Sequence, residues 1–289
     1  MKPETLKTKI FLDSGDPKDT ESILSLLGFL DGQTTNPSLI AVSPGAKERL
    51  LKGEKFSKKE LFDLYKETVQ QISSLIPEGS VSVEVYADKD TGANEMYEQG
   101  KEMFSWIKNA HIKYPTNKEG LKAAERSIKE GMRVNMTLCF TQEQAAAVYS
   151  ATMGAKKGDV FISPFVGRLD DRGENGMQLI ENILKMYTKG DGHVEVLTAS
   201  VRNLNHFMVA INLGSDIITA PMKILIEWQE VGSLIPTKEY MHEKGELTDI
   251  PYKELNLKEP WEEFNIRHEL TDKGIERFAE DWNNLIQMI

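Results

Sequence analysis

The chain has 289 residues, 40% of them apolar, with 35 basic against 45 acidic side chains, a net charge of −10 and a pI near 5.2. That acidic average field repels a phosphate backbone and argues against nucleic acid as the main partner, while leaving room for local basic sites that take small phosphates. A lone cysteine, Cys139, excludes an internal disulfide and points to a reducing compartment, and the length permits a large core without staples.

In chain order, apolar runs of strand length occur from Lys9 to Asp13, Gly32 to Thr35, Val81 to Val85, Ala110 to Pro115, Val134 to Phe140, Asp159 to Ser163, Val194 to Ala199 and Asp216 to Thr219. Between them lie stretches with apolar residues at helical spacing, among them Lys58 to Leu75, Lys118 to Glu130, Gln142 to Met153, Met177 to Lys189 and Leu204 to Leu213. Such alternation predicts an α/β protein with a parallel sheet. Eight such units in this length predict one (β/α)₈ TIM barrel spanning 1–289. The stretch from Met222 to Arg267 reads as an irregular insertion, polar from Gly245 to Pro260, and 270–289 as an extra C-terminal helix. The opening Met1-Lys2-Pro3-Glu4 lacks an apolar leader and no run is long enough to cross a bilayer, so the expectation is a cytoplasmic protein with no membrane partner.

Lys113 stands inside the apolar run Ala110-His111-Ile112-Lys113-Tyr114-Pro115, where a barrel strand aims its side chain into a closed interior. An amine in water has a pKa of about 10.4, and burial lowers such values enough to make a nucleophile. The alternative is a lysine at a strand end that snorkels to solvent. No Gly-rich phosphate loop, dinucleotide fingerprint, paired-His metal spacing or serine elbow occurs, and His111, His193, His206, His242 and His268 are scattered. Side-chain chemistry with no cofactor and no metal is the expectation.

Polar residues recur where barrel strands end, the face on which this architecture builds active sites. Asp13 closes the first run, Thr34-Thr35-Asn36 the second, and Glu84 lies on the third. Asn135 and Thr137 lie on the fifth, two apart and so on one face, Ser163 and Arg168 follow the sixth, and Ser200 and Arg202 the seventh. Each also has an ordinary reading: Asp13 could cap a helix starting near Asp16, and loop arginines are commonly surface charges.

The segments Thr34-Thr35-Asn36-Pro37-Ser38-Leu39, Ile112-Lys113-Tyr114-Pro115, Val134-Asn135-Met136-Thr137-Leu138-Cys139-Phe140 and Ile162-Ser163-Pro164-Phe165-Val166-Gly167-Arg168 resemble, in order, successive signatures of the transaldolase family. Phe11-Leu12-Asp13-Ser14 and Ala199-Ser200-Val201-Arg202 extend the resemblance, which covers about Lys9 to Pro221, and the closing stretch Leu270-Thr271-Asp272-Lys273-Gly274 before the last helix is similar to the family as well. It implies the (β/α)₈ barrel with a Schiff-base lysine on the fourth strand, Lys113. It also implies transfer of a dihydroxyacetone unit from fructose 6-phosphate or sedoheptulose 7-phosphate to erythrose 4-phosphate or glyceraldehyde 3-phosphate, in the pentose phosphate pathway.

By the same resemblance Asp13 exchanges the C4 hydroxyl proton, and Glu84 acts through a water held with Thr137. Asn36, Asn135 and Ser163 hold the dihydroxyacetone hydroxyls, and Arg168, Ser200 and Arg202 take the phosphate. The sister fructose 6-phosphate aldolases carry a glutamine on the third strand and a tyrosine closing the fifth. Glu84 and Phe140 stand there in this chain, the transaldolase choices, with Asn135 on the same side. Two residues depart from the pattern: Tyr114 replaces a small aliphatic residue and should face the helix layer, and Val201 replaces a phenylalanine. The implied partners are sugar phosphates and other copies of the chain, in a homo-oligomer of unspecified size. A barrel that binds sugar phosphates without turnover is the alternative from another class.

Overall fold

In a computed structural model of the chain, which describes residues 2–237, 240 and 242–287, eight parallel strands close into a barrel. They are β1 Lys9–Asp13, β2 Gly32–Thr34, β3 Ser80–Glu84, β4 Ala110–Pro115, β5 Val134–Cys139, β6 Val160–Pro164, β7 Val194–Thr198 and β8 Ile217–Ala220. Each pairs with its neighbours in sequence, and β1 pairs with β8 to close the ring. Every residue of β4 and β5 is buried. A strand covered by helices outside and packed core inside has no solvent face, which is why these runs read as continuous rather than alternating.

The helices are α1 Pro17–Leu27, α2 Pro37–Ala41, α3 Pro44–Leu51, α4 Lys58–Leu75, α5 Ala93–Phe104, α6 Lys118–Lys129, α7 Gln142–Ala151, α8 Val166–Asp170, α9 Gly176–Tyr187, α10 Leu204–Leu213, α11 Met222–Glu230 and α12 Glu269–Asn283. Their starts carry local signals. Asp16, not Asp13, caps α1 by accepting from Lys18 N, with Pro17 in the first turn, which leaves Asp13 free at the end of β1. Asn36 caps α2 by accepting from Leu39 N at 2.9 Å, so its carbonyl oxygen is engaged and its NH₂ is the end left for a ligand.

The stretch expected to be irregular from Met222 opens instead with α11, which buries Ile224, Leu225 and Trp228 at helical spacing. From 231 to 260 the described residues form no helix or strand, apart from a bridge between Glu174 and Thr248. The earlier part lies against α10 and α11, where Asn212 donates to Tyr240 O at 3.1 Å and Trp228 to Leu234 O at 2.9 Å; the later part lies on α7 and α9, where Asn182 donates to Ile250 O at 2.8 Å and Lys253 N to Gln142 Oε1 at 2.8 Å. The element that reaches the strand ends is α12. Thr271 near its start donates to Leu138 O at 2.9 Å, and Ser38 in α2 donates to Asp281 near its end. Leu138 adopts a positive φ of 59° where the β5–β6 register shifts, so the end of β5 bulges and turns its carbonyl to α12.

Candidate active site

Tyr114 points out of β4, its hydroxyl 3.0 Å from Ser127 Oγ in α6, and a Cβ on Gly100 of α5 would lie 2.1 Å from that hydroxyl. The larger side chain is thus accommodated in the helix layer by a glycine, and the neighbouring Lys113 is turned inward. Lys113 is 3% exposed. Its Nζ lies 2.8 Å from Glu84 Oε2 and donates to the carbonyl of Thr35 at 3.0 Å. Sheet register sets the pairing, since Glu84 and Lys113 are Cα partners across β3 and β4, as are Lys113 and Asn135 across β4 and β5.

Burial pushes the Glu84 carboxyl above its usual range, opposed in second place by the Lys113 charge. Asp13 is raised for the same first reason, with Lys113 and then the Thr34 hydrogen bond pulling back. Thr34 donates its one hydroxyl hydrogen to Asp13 Oδ1 at 2.7 Å, so its 2.6 Å contact with Thr219 runs from Thr219 to Thr34. Two carboxylates that burial makes harder to ionise therefore share one barrel interior with one amine. Asn135 is held from both sides, accepting from Ser163 Oγ at 2.7 Å and donating to Ser82 Oγ at 3.0 Å. Thr137 Oγ1 is buried with no hydrogen-bond partner among the described residues.

A cavity of about 360 Å³ opens over these groups at the C-terminal ends of the strands. Asp13, Asn36, Lys113, Ser163, Arg168, Ser200 and Arg202 all line it; Glu84 and Asn135 do not line it but contact Lys113 and Ser163, which do, and Thr137 is buried in β5 outside the lining. A larger groove of about 1000 Å³ lies outside the barrel between α4, α5 and the end of α12, and contains none of the strand-end residues. The candidate residues therefore gather at the smaller cavity.

Phe140 is not brought to this cavity. It lies past the bulge of β5, 2% exposed, stacked on His268 at 5.2 Å and edge-on to Phe165 at 5.9 Å. Phe165, just past β6, is the strand-end ring that lines the cavity. Sequence reasoning also missed Arg277 and Phe278 of α12, which line the cavity from above. The sequence signals for their helix are its amphipathic pattern and the family-like stretch Leu270 to Gly274, neither of which says that the helix sits over the strands. Arg168 in α8 is held below the usual arginine range by burial first, then by Arg277 and Arg202. Space for its guanidinium is made by Gly274, where a Cβ would lie 2.9 Å from Arg168 Nη1. Arg202 donates to Asp171 at 2.9 Å, and a Cβ on Gly167 would lie 2.4 Å from its Cγ. Ser200 takes a positive φ of 59° beside it. Three guanidinium groups on one polar mouth suit an anion, since a bound negative charge would relieve their mutual repulsion.

A family model described as "Transaldolase/Fructose-6-phosphate aldolase" matches residues 10–289, which takes in the barrel, the cavity and α12. The chain belongs to that family. It is 34% identical over 277 residues to a probable transaldolase of Dehalococcoides mccartyi, covering 96% of this chain and 99% of that protein. A probable transaldolase of Roseiflexus sp. is 35% identical over 274 residues, covering 95% and 96%, and one of Brucella ovis is 36% identical over 281 residues, covering 97% and 99%. Similarity to these transaldolase/aldolase family members therefore runs the length of the chain rather than stopping at the barrel. Among the described residues no group of three or more His, Cys, Asp or Glu is placed to hold a metal, and no helix is long and apolar enough to cross a membrane.

Proposed function

We propose that the chain is a transaldolase that works through an imine on Lys113. The observation that carries this reading is the Lys113 amine, buried between the Glu84 carboxylate and the Thr35 carbonyl on the floor of a cavity whose mouth is lined by three arginines. Burial raises Glu84, so it is suited to take the ammonium proton and leave the amine free to attack a ketone. Attack on C2 of a ketose phosphate gives a carbinolamine. Its hydroxyl leaves as water, protonated through Glu84, while the unpartnered Thr137 hydroxyl is free to hold the relaying water.

The iminium draws electrons from the C3–C4 bond. Asp13 takes the C4 hydroxyl proton, C3–C4 breaks, an aldose phosphate departs, and a three-carbon enamine stays on Lys113. Addition of this enamine to a second aldehyde reverses the steps, with Asp13 returning the proton to the new hydroxyl. Ser163, Asn135 and the Asn36 NH₂ suit the hydroxyls of the three-carbon unit, and Arg168, Arg202 and Arg277, with Ser200, suit the phosphate.

Fructose 6-phosphate aldolase, which would release free dihydroxyacetone, is the second reading, because the family includes it. Against it stands Phe165: the ring facing the cavity has no hydroxyl to protonate the enamine, so the enamine waits for an acceptor. The test is glyceraldehyde 3-phosphate production from fructose 6-phosphate with and without erythrose 4-phosphate. Transfer requires strong dependence on the acceptor; equal rates would make the chain an aldolase.

A further inference from the structure

Tyr65 lies in the middle of α4, on the helix face that also buries Leu61, Thr68, Val69 and Ile72. Its ring is set edge-on to Trp106 at 6.0 Å and tilted against Trp282 at 5.9 Å, so it has no freedom to swing. Its hydroxyl reaches through the helix layer to the strand ends and makes two contacts. It accepts from the backbone N–H of Glu84 at 2.8 Å and meets Thr35 Oγ1 at 2.6 Å. Counting hydrogens fixes the direction of the second. Thr35 has one hydroxyl hydrogen and donates it to Ser82 O at 2.7 Å, so the phenol must donate to Thr35 Oγ1. Burial keeps the phenol protonated, as that donation requires.

The result is a directed chain from Glu84 N–H to Tyr65, from Tyr65 to Thr35 and from Thr35 to Ser82. Both protein groups that hold the Lys113 amine, the Glu84 carboxylate and the Thr35 carbonyl, belong to residues this chain ties together. The link is independent of the sugar site, because Tyr65 does not line the cavity. We propose that Tyr65 is a positioning residue that sets the spacing of the two acceptors around Lys113, and so governs imine formation rather than sugar binding.

This rests on the reading of Lys113 as the imine-forming residue. The test measures the rate at which fructose 6-phosphate and borohydride trap a three-carbon adduct, alongside kcat and KM. Tyr65→Phe keeps the ring and its packing and removes only the link. It should slow trapping and kcat by about 10-fold to 100-fold, the scale for a displaced reacting group, and leave KM for fructose 6-phosphate within about threefold. Thr35→Val breaks the same link from the other end and serves also if Tyr65→Phe does not fold. The double variant should be no slower than the worse single one, as expected of groups acting in series. Ile72→Val loosens α4 by packing alone and should leave the trapping rate unchanged. If the native protein traps and Tyr65→Phe traps at the same rate, or if Ile72→Val slows trapping as much as Tyr65→Phe, the positioning role is overturned while the Lys113 reading stands. Absence of any adduct in the native protein overturns the Lys113 reading itself.

Discussion

Lys113→Met removes the ammonium while keeping most of the stem's volume, and its effect on stability can be worked out from the surroundings. The substitution strands Glu84, whose Oε2 lies 2.8 Å from Nζ and whose side chain is 4% exposed. Removing one partner of a buried ion pair costs ~3–5 kcal/mol when the other must stay charged. Glu84 can escape part of that cost by binding a proton, because burial already raises its carboxyl. A carboxyl with a folded pKa above its unfolded value contributes stability that is full below the unfolded value and lost as pH rises through the folded one. Without Lys113 to oppose burial that lift grows. The variant should therefore lose most at about pH 8 and least at about pH 5. Adding Glu84→Gln removes the stranded charge and leaves a buried amide, whose unmet hydrogen bonds cost ~1–3 kcal/mol, so the double variant should recover part of the loss at about pH 8. Urea unfolding of native, single and double variants at both pH values reads this directly. If Lys113→Met is equally destabilised at both pH values and Glu84→Gln restores nothing, the amine and the carboxylate do not form a buried pair and the argument fails.

Asp13→Asn should lower kcat by ~10²–10⁴, the usual worth of a positioned acid–base group. Because burial raises Asp13, the same variant should melt higher than the native chain near neutral pH, with the gain vanishing as pH falls below the ordinary carboxylate range; an unchanged kcat would remove Asp13 from the mechanism. For the native enzyme, the raised carboxyl places the acid limb of kcat against pH above the range of an exposed aspartate, and a limb at or below that range would count against it. Arg168→Leu should weaken KM for fructose 6-phosphate by about 10-fold to 100-fold, from loss of a charge-assisted bond of ~1.5–3 kcal/mol, and leave turnover of unphosphorylated fructose unaffected; equal loss on both sugars would argue for a structural role. Phe165→Tyr puts a proton donor beside the enamine and should raise dihydroxyacetone release measured without an acceptor; no change would mean that this ring does not face the three-carbon unit.

Much of the fold was legible because parallel strands buried on both faces leave a simple trace of apolar runs. Lys113 stands out because a charge in such a run has few cheap explanations, and Glu84 because polar residues recur at successive strand ends. The ends of elements were harder. Counting by twos places Asn135 and Thr137 on one face, and both are fully buried in β5. Beyond Thr137 the bulge at Leu138 breaks the alternation, so the sequence points to Phe140 where the structure presents Phe165. Met222–Glu230 was absorbed into the irregular stretch because the polar, proline-containing run after it dominates the composition, although Ile224, Leu225 and Trp228 carry a helical signal. Arg277 was hidden for a different reason. Its helix has the pattern of any surface helix, and tertiary contacts, Thr271 and Asp281 among them, bring it over the strand ends.

The central claim is a covalent bond between Lys113 Nζ and C2 of the sugar. Incubation with fructose 6-phosphate and borohydride, followed by digestion and mass mapping, should find a reduced three-carbon adduct on the peptide containing Lys113 and on no other. An unmodified Lys113 in protein that still turns over the sugar, or an adduct on a different lysine, would contradict the account.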